Sequence, residues 1–338
     1  MIALGLLIIA IGAFCQSSSY VPINKIKDWS WESYWIVQGV FAWLVLPLLG
    51  ALLAVPEGHS LCELFSSNLS ASGMTFFYGV LWGIGGLTFG LSMRYLGVAL
   101  GQSLALGTCA ALGTLLAPIF TGHAADLTTS VIIGVVVTLI GIAIIGVAGA
   151  MREENQKKAS ENNGQQSMVN GQWKKGVIVA LLAGFMSACF NIGLAAGQPL
   201  QFEGVNPMLA SLPATFLVTL GGFCTNACYC FYQNGKNKTW GDYGKGSVWL
   251  GNLFFCLLAG ALWYSQFFGL SLGKGFLTDS PVLTTFAFCI LMALNVSFSN
   301  LWGIILKEWK GCSRKTILVL IAGLIVLIVS SFLPQFLN

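Results

Sequence analysis

Ten stretches of about 20 mostly apolar residues, separated by short polar segments, constrain this chain more than any motif in it. They are 2–21, 33–55, 72–93, 97–120, 128–150, 174–197, 207–233, 246–272, 280–306 and 315–337. About 20 apolar residues in helical form cover the roughly 30 Å of hydrocarbon in a bilayer. Apolar residues make up 56% of the chain and charged residues 8%, against about 25% charged in a soluble domain. No soluble fold of this size covers its surface with so few charges. In lipid, backbone polar groups must be bonded within the protein, which leaves helices or a closed barrel. Continuous apolar runs without period-2 alternation predict helices. The expected fold class is an all-α polytopic protein of ten transmembrane helices, with the lipid bilayer as its solvent.

Met1 leads directly into apolar sequence, without a basic leader or a small-residue cleavage pattern. The first run therefore reads as a retained span. Most of the ten cysteines lie inside apolar runs (Cys15, Cys109, Cys189, Cys224, Cys228, Cys256, Cys289), where they act as small packing groups. Cys224, Cys228 and Cys230 cluster without a His or a second Cys pair, so no metal and no cofactor is expected. Lys and Arg fall between the apolar runs rather than along one stripe, which argues against a nucleic-acid partner.

The placement of the positive charges predicts orientation. Fifteen of the sixteen Lys and Arg lie in the segments after odd-numbered spans, and only Lys274 follows an even-numbered one. Lys and Arg collect in cytoplasmic loops, so odd loops are expected inside and both termini in the periplasm. Trp29, Trp31, Trp35, Trp173, Trp240 and Trp309 sit near the cytoplasmic ends of spans, as an interfacial belt would. Trp43, Trp82 and Trp263 lie deep in spans 2, 3 and 8, where belt duty does not explain them. The longest hydrophilic stretch, 151–172, reads as a flexible cytoplasmic linker. It divides the chain into five-span halves, 1–150 and 173–338.

Two words recur half a chain apart. Residues 79–82 read GVLW and 89–92 read FGLS; residues 260–263 read GALW and 268–271 read FGLS. Each pair falls in the third span of its half. Because five is odd, corresponding spans run in opposite directions, which predicts two inverted five-helix repeats with substrate bound near the midplane. Glycines 79, 83, 86 and 90, and the pair Gly97 and Gly101, recur at helical spacing and predict close helix packing.

No Asp, Glu, Lys, Arg or His falls in the middle of a span. The buried polar groups are neutral: Gln16, Gln38, Gln102, Asn191, Asn226, Asn252, Gln266, Asn295 and Asn300, with Ser and Thr. Such groups mark helix contacts or a wet cavity. Trp263 and Gln266 share a face of span 8, and Trp82 holds the matching place in span 3. Gln16 and Tyr20 lie four apart on span 1, and Ser187 and Asn191 four apart on span 6. Indoles beside amides and hydroxyls suit a small neutral sugar, so the expected substrate-binding set is Gln16, Tyr20, Trp82, Gln102, Asn191, Trp263 and Gln266. An anionic cargo would want a deep cation, and Arg94 only reaches a corner between spans 3 and 4. Without an ATPase motif, uphill transport needs a coupling ion; for a proton-coupled carrier the expected proton-coupling group is Glu32, with Asp279 and Glu308 as alternatives. His59 and His123 sit in external loops. Clustered His, Asp or Glu of the kind a membrane enzyme uses is missing from the pattern, as is a soluble output domain. An exporter or exchanger of another small neutral metabolite or amino acid remains open on the residues alone. Oligomeric state leaves no signature.

At KIKDWSWE (25–32), LWGIG (81–85) with GLSMRYLG (90–97), WYSQFF (263–268) and LKEW (306–309), the chain resembles the L-rhamnose–proton symporter family of the drug/metabolite transporter superfamily. The resemblance implies two inverted five-helix halves, inward transport of a 6-deoxyhexose coupled to protons, and a place in the bacterial inner membrane. It marks Lys25, Lys27, Trp29, Trp31, Glu32, Trp82, Arg94, Trp263, Gln266 and Glu308 as positions sharing the family pattern. The segment between Gly273 and Asn300 departs from it. Where the family is expected to be richer in His, Arg and Asp, this chain carries only Lys274 and Asp279.

Overall fold

The computed structural model describes residues 1–96, 98–161 and 173–337, and all side chains within them except those of 98–100, 156–161 and 173. Among the described residues all regular secondary structure is helical, and ten helices are long and apolar enough to cross a membrane. They are α1 (Ile2–Ile23), α2 (Trp31–Leu52), α3 (Leu69–Leu96), α4 (Gly101–Phe120), α5 (Thr129–Asn155), α6 (Lys174–Ala196), α7 (Leu212–Asn237), α8 (Gly246–Gly275), α9 (Pro281–Ile305) and α10 (Arg314–Phe336). Large apolar side chains such as Leu7, Ile11, Ile140, Val147, Ile178, Leu250 and Ile321 are exposed. In lipid such a surface is solvated rather than costly.

The boundaries differ from the hydropathy reading where local chemistry intervenes. Helix α7 starts at Leu212 rather than at 207, because Pro213 suits a first helical turn and the preceding residues form turns. It ends at Lys238, which takes a left-handed conformation (φ 57°). Lys274 lies in the last turn of α8 instead of in a loop. The helix of α5 continues to Glu161, so the expected linker begins as helix. Its remainder, 162–172, lies outside the described residues, as do Gly97 and the side chain of Trp173.

The chain divides into two compact units that cut across its linear halves. The first comprises residues 1–84 and 192–280: α1, α2, the start of α3, the end of α6, α7 and α8. It is built on close helix crossings. Helix α1 crosses α8 where a Cβ on Gly12 would come within 2.7 Å of Ser265 O, and one on Gly5 within 2.8 Å of Gly273 O. Helix α3 crosses α7 at Gly79, Gly83, Gly221 and Gly222, where added Cβ atoms would run into the opposing backbone or ring. Helix α8 meets α2 at Gly260, whose Cβ would lie 2.8 Å from Phe41 Cβ and 3.0 Å from Ala42 N. A two-turn helix, Leu61–Ser67, capped by Ser60 Oγ accepting from Glu63 N–H at 3.2 Å, packs Leu61 and Leu64 with Leu200, Phe202, Phe216 and Leu217.

The second unit comprises residues 85–191 and 281–338: the rest of α3 and α6, with α4, α5, α9 and α10. Helices α5 and α10 interlock along Gly134, Gly141 and Gly323, against Pro334, Leu327 and Ile145. Thr138 and Ser330 share a buried 3.0 Å hydrogen bond between these two helices. Helix α6 lies on α4 at Gly184, whose Cβ would meet Ala105 O at 2.6 Å.

Candidate substrate and coupling site

Helix α2 changes pitch in its middle. Residues Val40–Val45 form a π-helical turn between two α-helical segments. Such turns are rare and recur at functional sites. This one carries Trp43, which Gly39 accommodates: a Cβ at 39 would stand 2.6 Å from the Trp43 ring. Trp43 meets Trp82 of α3 edge-on (centroids 6.3 Å apart, 90°) and Trp263 of α8 edge-on (5.8 Å, 84°). Trp82 and Trp263 touch each other at 5.8 Å, and Phe267 closes on Trp263 at 5.3 Å. Trp35 continues the series, edge-on to Trp43 at 5.5 Å and stacked on Trp31 at 5.4 Å. Its indole N–H donates to Asn226 Oδ1 at 3.0 Å.

The two indoles of the repeated words therefore come together, with a third, Trp43, packed edge-on against both. Contacts of this geometry contribute about 0.5–1.5 kcal/mol each beyond area burial. Centroids 5.8 Å apart also leave no space for a pyranose between Trp82 and Trp263. Both are only part-buried, so a sugar would stack on a face that the cluster leaves uncovered. The position of Trp82 depends on Gly222, where any Cβ would overlap its ring.

The neutral amides separate into distinct environments. Gln266 is 3% exposed, at the crossing where Gly12 approaches its Cα. Gln16, one turn further along α1, is half-buried and its Oε1 accepts from Ser17 Oγ over 3.5 Å. Tyr20 is 55% exposed. Asn191 belongs to the second unit and donates to Gly113 O at 2.8 Å, which commits its N–H to the packing of α6 on α4. Gln102, also in the second unit, lines a cavity of 140 Å³ with Ser103, Arg152, Ser299, Asn300 and Trp309.

The expected proton-coupling residues lie far apart in environment. Glu32, in the first turn of α2, is 5% exposed. Its Oε1 accepts from Asn237 Nδ2 at 2.9 Å and from Thr239 Oγ1 at 2.8 Å, both neutral donors. Asp279 is exposed. Glu308 accepts from Arg152 Nη1 at 3.1 Å while the Arg152 guanidinium lies 4.8 Å from the Trp309 ring centre. A helix cap builds this second arrangement. Lys307 takes φ 61°, Glu308 N–H donates back to Gly303 O at 2.8 Å, and Glu308 and Trp309 fold over Gly303.

Sequence reasoning missed Asp242. It is 5% exposed, in the turn between α7 and α8. Its Oδ2 accepts from Ser30 N–H (2.8 Å), Ser30 Oγ (2.5 Å) and Ser33 Oγ (2.9 Å), and Lys245 Nζ reaches Oδ1 at 2.6 Å. Asn252 clamps Lys27 from both sides, accepting its N–H at 3.1 Å and donating to its carbonyl at 2.8 Å. A single acid in a polar loop gives no sequence signal of this role. Trp35 did carry one: it stands four residues from Trp31 and eight from Trp43, on one helical face. The belt reading fits Trp31 and Trp240, which are exposed. Trp29 and Trp309 are instead buried, Trp29 edge-on to Tyr243 at 5.9 Å and Trp309 beneath Arg152.

Residues 1–334 match the family described as L-rhamnose-proton symport protein (RhaT). The chain belongs to that family. Among its relatives, the L-rhamnose-proton symporter of Citrobacter koseri is 31% identical over 343 residues, covering 98% of this chain and 96% of the relative. Those of Escherichia coli and Klebsiella pneumoniae subsp. pneumoniae are 32% and 31% identical over 348 and 345 residues, with the same coverage. The family is one of transporters rather than enzymes. Four of the stretches that carry the resemblance hold residues of these sites. KIKDWSWE is the segment that Asp242, Lys245 and Asn252 hold, and LKEW forms the cap over Gly303.

Proposed function

We propose that the protein imports a neutral 6-deoxyhexose, with L-rhamnose the best fit, by proton symport across the bacterial inner membrane. The observation that carries this reading is the match along almost the whole chain to L-rhamnose-proton symporters. The chemistry of the first unit agrees with it: indoles for a C–H face and a methyl group, neutral amides for hydroxyls, and no charged group in the middle of a helix that an anion would require. The proposed sugar site of the first unit has Trp82, Trp263 and Gln266 at its centre, with Gln16 and Tyr20 on α1.

Two inverted repeats, 1–150 and 173–338, with periplasmic termini and alternating access between them, complete the proposal. Its support comes from the repeated words. Gly79 and Gly260 each open one copy, and each lies at a close crossing with the second helix of the opposite half: Gly79 on Val218 of α7, Gly260 on Phe41 and Ala42 of α2. Within the first unit, α1, α2 and α8 have α6, α7 and α3 as their counterparts in the other half.

Glu32 is the proposed proton carrier. Both side-chain donors fall on Oε1, so a proton on Oε2 would leave them in place. The purified protein in proteoliposomes should accumulate labelled L-rhamnose when an inward proton gradient is imposed. Uptake indifferent to the gradient would overturn the coupling, and failure of any deoxyhexose to compete would overturn the substrate. Glu32→Gln should abolish accumulation while sugar exchange persists. Accumulation at the wild-type level would remove Glu32 from the mechanism.

A further inference from the structure

Among the described residues, three buried polar atoms along the contact of α2 with α8 have no hydrogen-bond partner: Trp43 Nε1, Gln38 Oε1 and Tyr264 Oη. The contact itself is tight. Gly260 abuts residues 38–42, Trp263 meets Trp43, and a Cβ on Gly50 would overlap the Tyr264 hydroxyl. Trp43 is 3% exposed. Interiors seldom leave such groups unmet, because a buried donor or acceptor without a partner is destabilising. Here three occur on two adjacent helices, around a π turn that the fold has placed among the indoles.

The types of atom identify what would complete them. An indole N–H only donates, an amide oxygen only accepts, and a phenol does both. An apolar ligand would leave all three unmet. A carboxylate accepts from the indole but gives nothing to Gln38. A hydroxyl group donates and accepts, and adjacent hydroxyls on a pyranose supply both functions at neighbouring points. We infer that this seam reads the hydroxyl groups of the sugar, with Trp43 Nε1 as donor and Gln38 Oε1 as acceptor, while Trp82 and Trp263 supply the stacking surface. The inference rests on the sugar-transport reading and adds specificity residues to it.

Calorimetric titration of the detergent-solubilised protein with L-rhamnose and a panel of its monodeoxy analogues tests this. Trp43→Phe keeps an aromatic ring and removes the N–H. It should weaken L-rhamnose about tenfold, the loss of one hydrogen bond. One analogue, lacking the hydroxyl that Trp43 holds, should bind wild type and variant equally. A purely structural role for the indole would weaken all sugars alike. Gln38→Met, close in shape and without the acceptor, should show the same pattern with a different analogue and covers the case in which Trp43→Phe fails to fold. Unchanged rhamnose affinity in both variants, or a uniform loss across the panel, would overturn the inference and leave these atoms to bound water. If the wild type binds no deoxyhexose, the transport reading fails, and this inference fails with it.

Discussion

Replacing Gly79 with alanine should leave little folded protein, although alanine is the better helix former by about 1 kcal/mol. The added Cβ would overlap Val218 O and stand 2.8 and 2.9 Å from Val218 C and Cα. These are backbone atoms of α7, which cannot rotate aside as a side chain can. From the other side of the crossing, a Cβ on Gly221 would overlap Phe76 O and stand 2.8 Å from Val80 N. The two helices would have to separate along this whole contact, and Trp82 would lose its seat on Gly222. Overpacking costs about 1–3 kcal/mol and occasionally more; here, with backbone on both sides, the upper end or beyond is expected. Gly260→Ala should cost less, since its nearest neighbours, Phe41 Cβ at 2.8 Å and backbone at 3.0 Å or more, all stand farther off than Val218 O does from the Gly79 position. Gly86→Ala on the same helix as Gly79 is the control. Nothing lies within 4 Å of its Cβ position, so it should be neutral or slightly stabilising. Thermal melting in detergent ranks the three. A Gly79→Ala protein that melts with the wild type would contradict the crossing.

The repeated words show how much of the architecture the sequence exposes. GVLW and GALW are readable because a close helix crossing demands glycine and a deep indole stands out against apolar runs. The number of spans is readable because lipid imposes length and composition on each. The grouping of helices into units was not readable. Contacts such as Gly12 with Ser265 join residues 253 positions apart through backbone, and backbone contact leaves only a glycine as its trace. The candidate site divides along the same line. Trp82 and Trp263 stand out in the sequence because interfacial belt duty does not explain indoles so deep in a span. Trp35 reads as an interfacial residue in the sequence, because distance along the helix does not reveal that Asn226 accepts its N–H. The π turn at 40–45 had no sequence signal at all, since VFAWLV satisfies an ordinary helix equally well.

Asp242→Asn should be among the most damaging polar substitutions, and the damage should lessen as pH falls below the ordinary aspartate value. The side chain holds the start of α2 from a turn that lies more than 200 residues away in the chain. Its Oδ2 takes three hydrogen bonds from Ser30 and Ser33, and its Oδ1 takes Lys245. All four partners donate, so both oxygens must accept, and a carboxylate does this where an amide cannot. Asparagine would turn its NH₂ either to the serines or to the Lys245 ammonium. A negative charge at a helix N-terminus is favourable in addition. The expected cost is about 3 kcal/mol, the lower end for breaking a buried pair, because Lys245 is 45% exposed and keeps access to water. Burial by itself would raise the Asp242 carboxyl, but the bonds from Lys245, Ser30 and Ser33 outweigh it and hold the group well below the ordinary aspartate value of 3.8. A depressed folded-state value means that the unfolded chain takes up the proton first. The stabilisation is therefore complete above the ordinary value and is lost as pH falls below it toward the folded one. Melting temperatures of wild type and Asp242→Asn, measured from about pH 7 down to about pH 2, should differ by a steady amount down to about pH 4 and draw together below it. Because other carboxylates titrate in both proteins, the difference between them is the quantity to follow. A difference that does not narrow below about pH 4 would assign the effect to lost shape rather than to the charge.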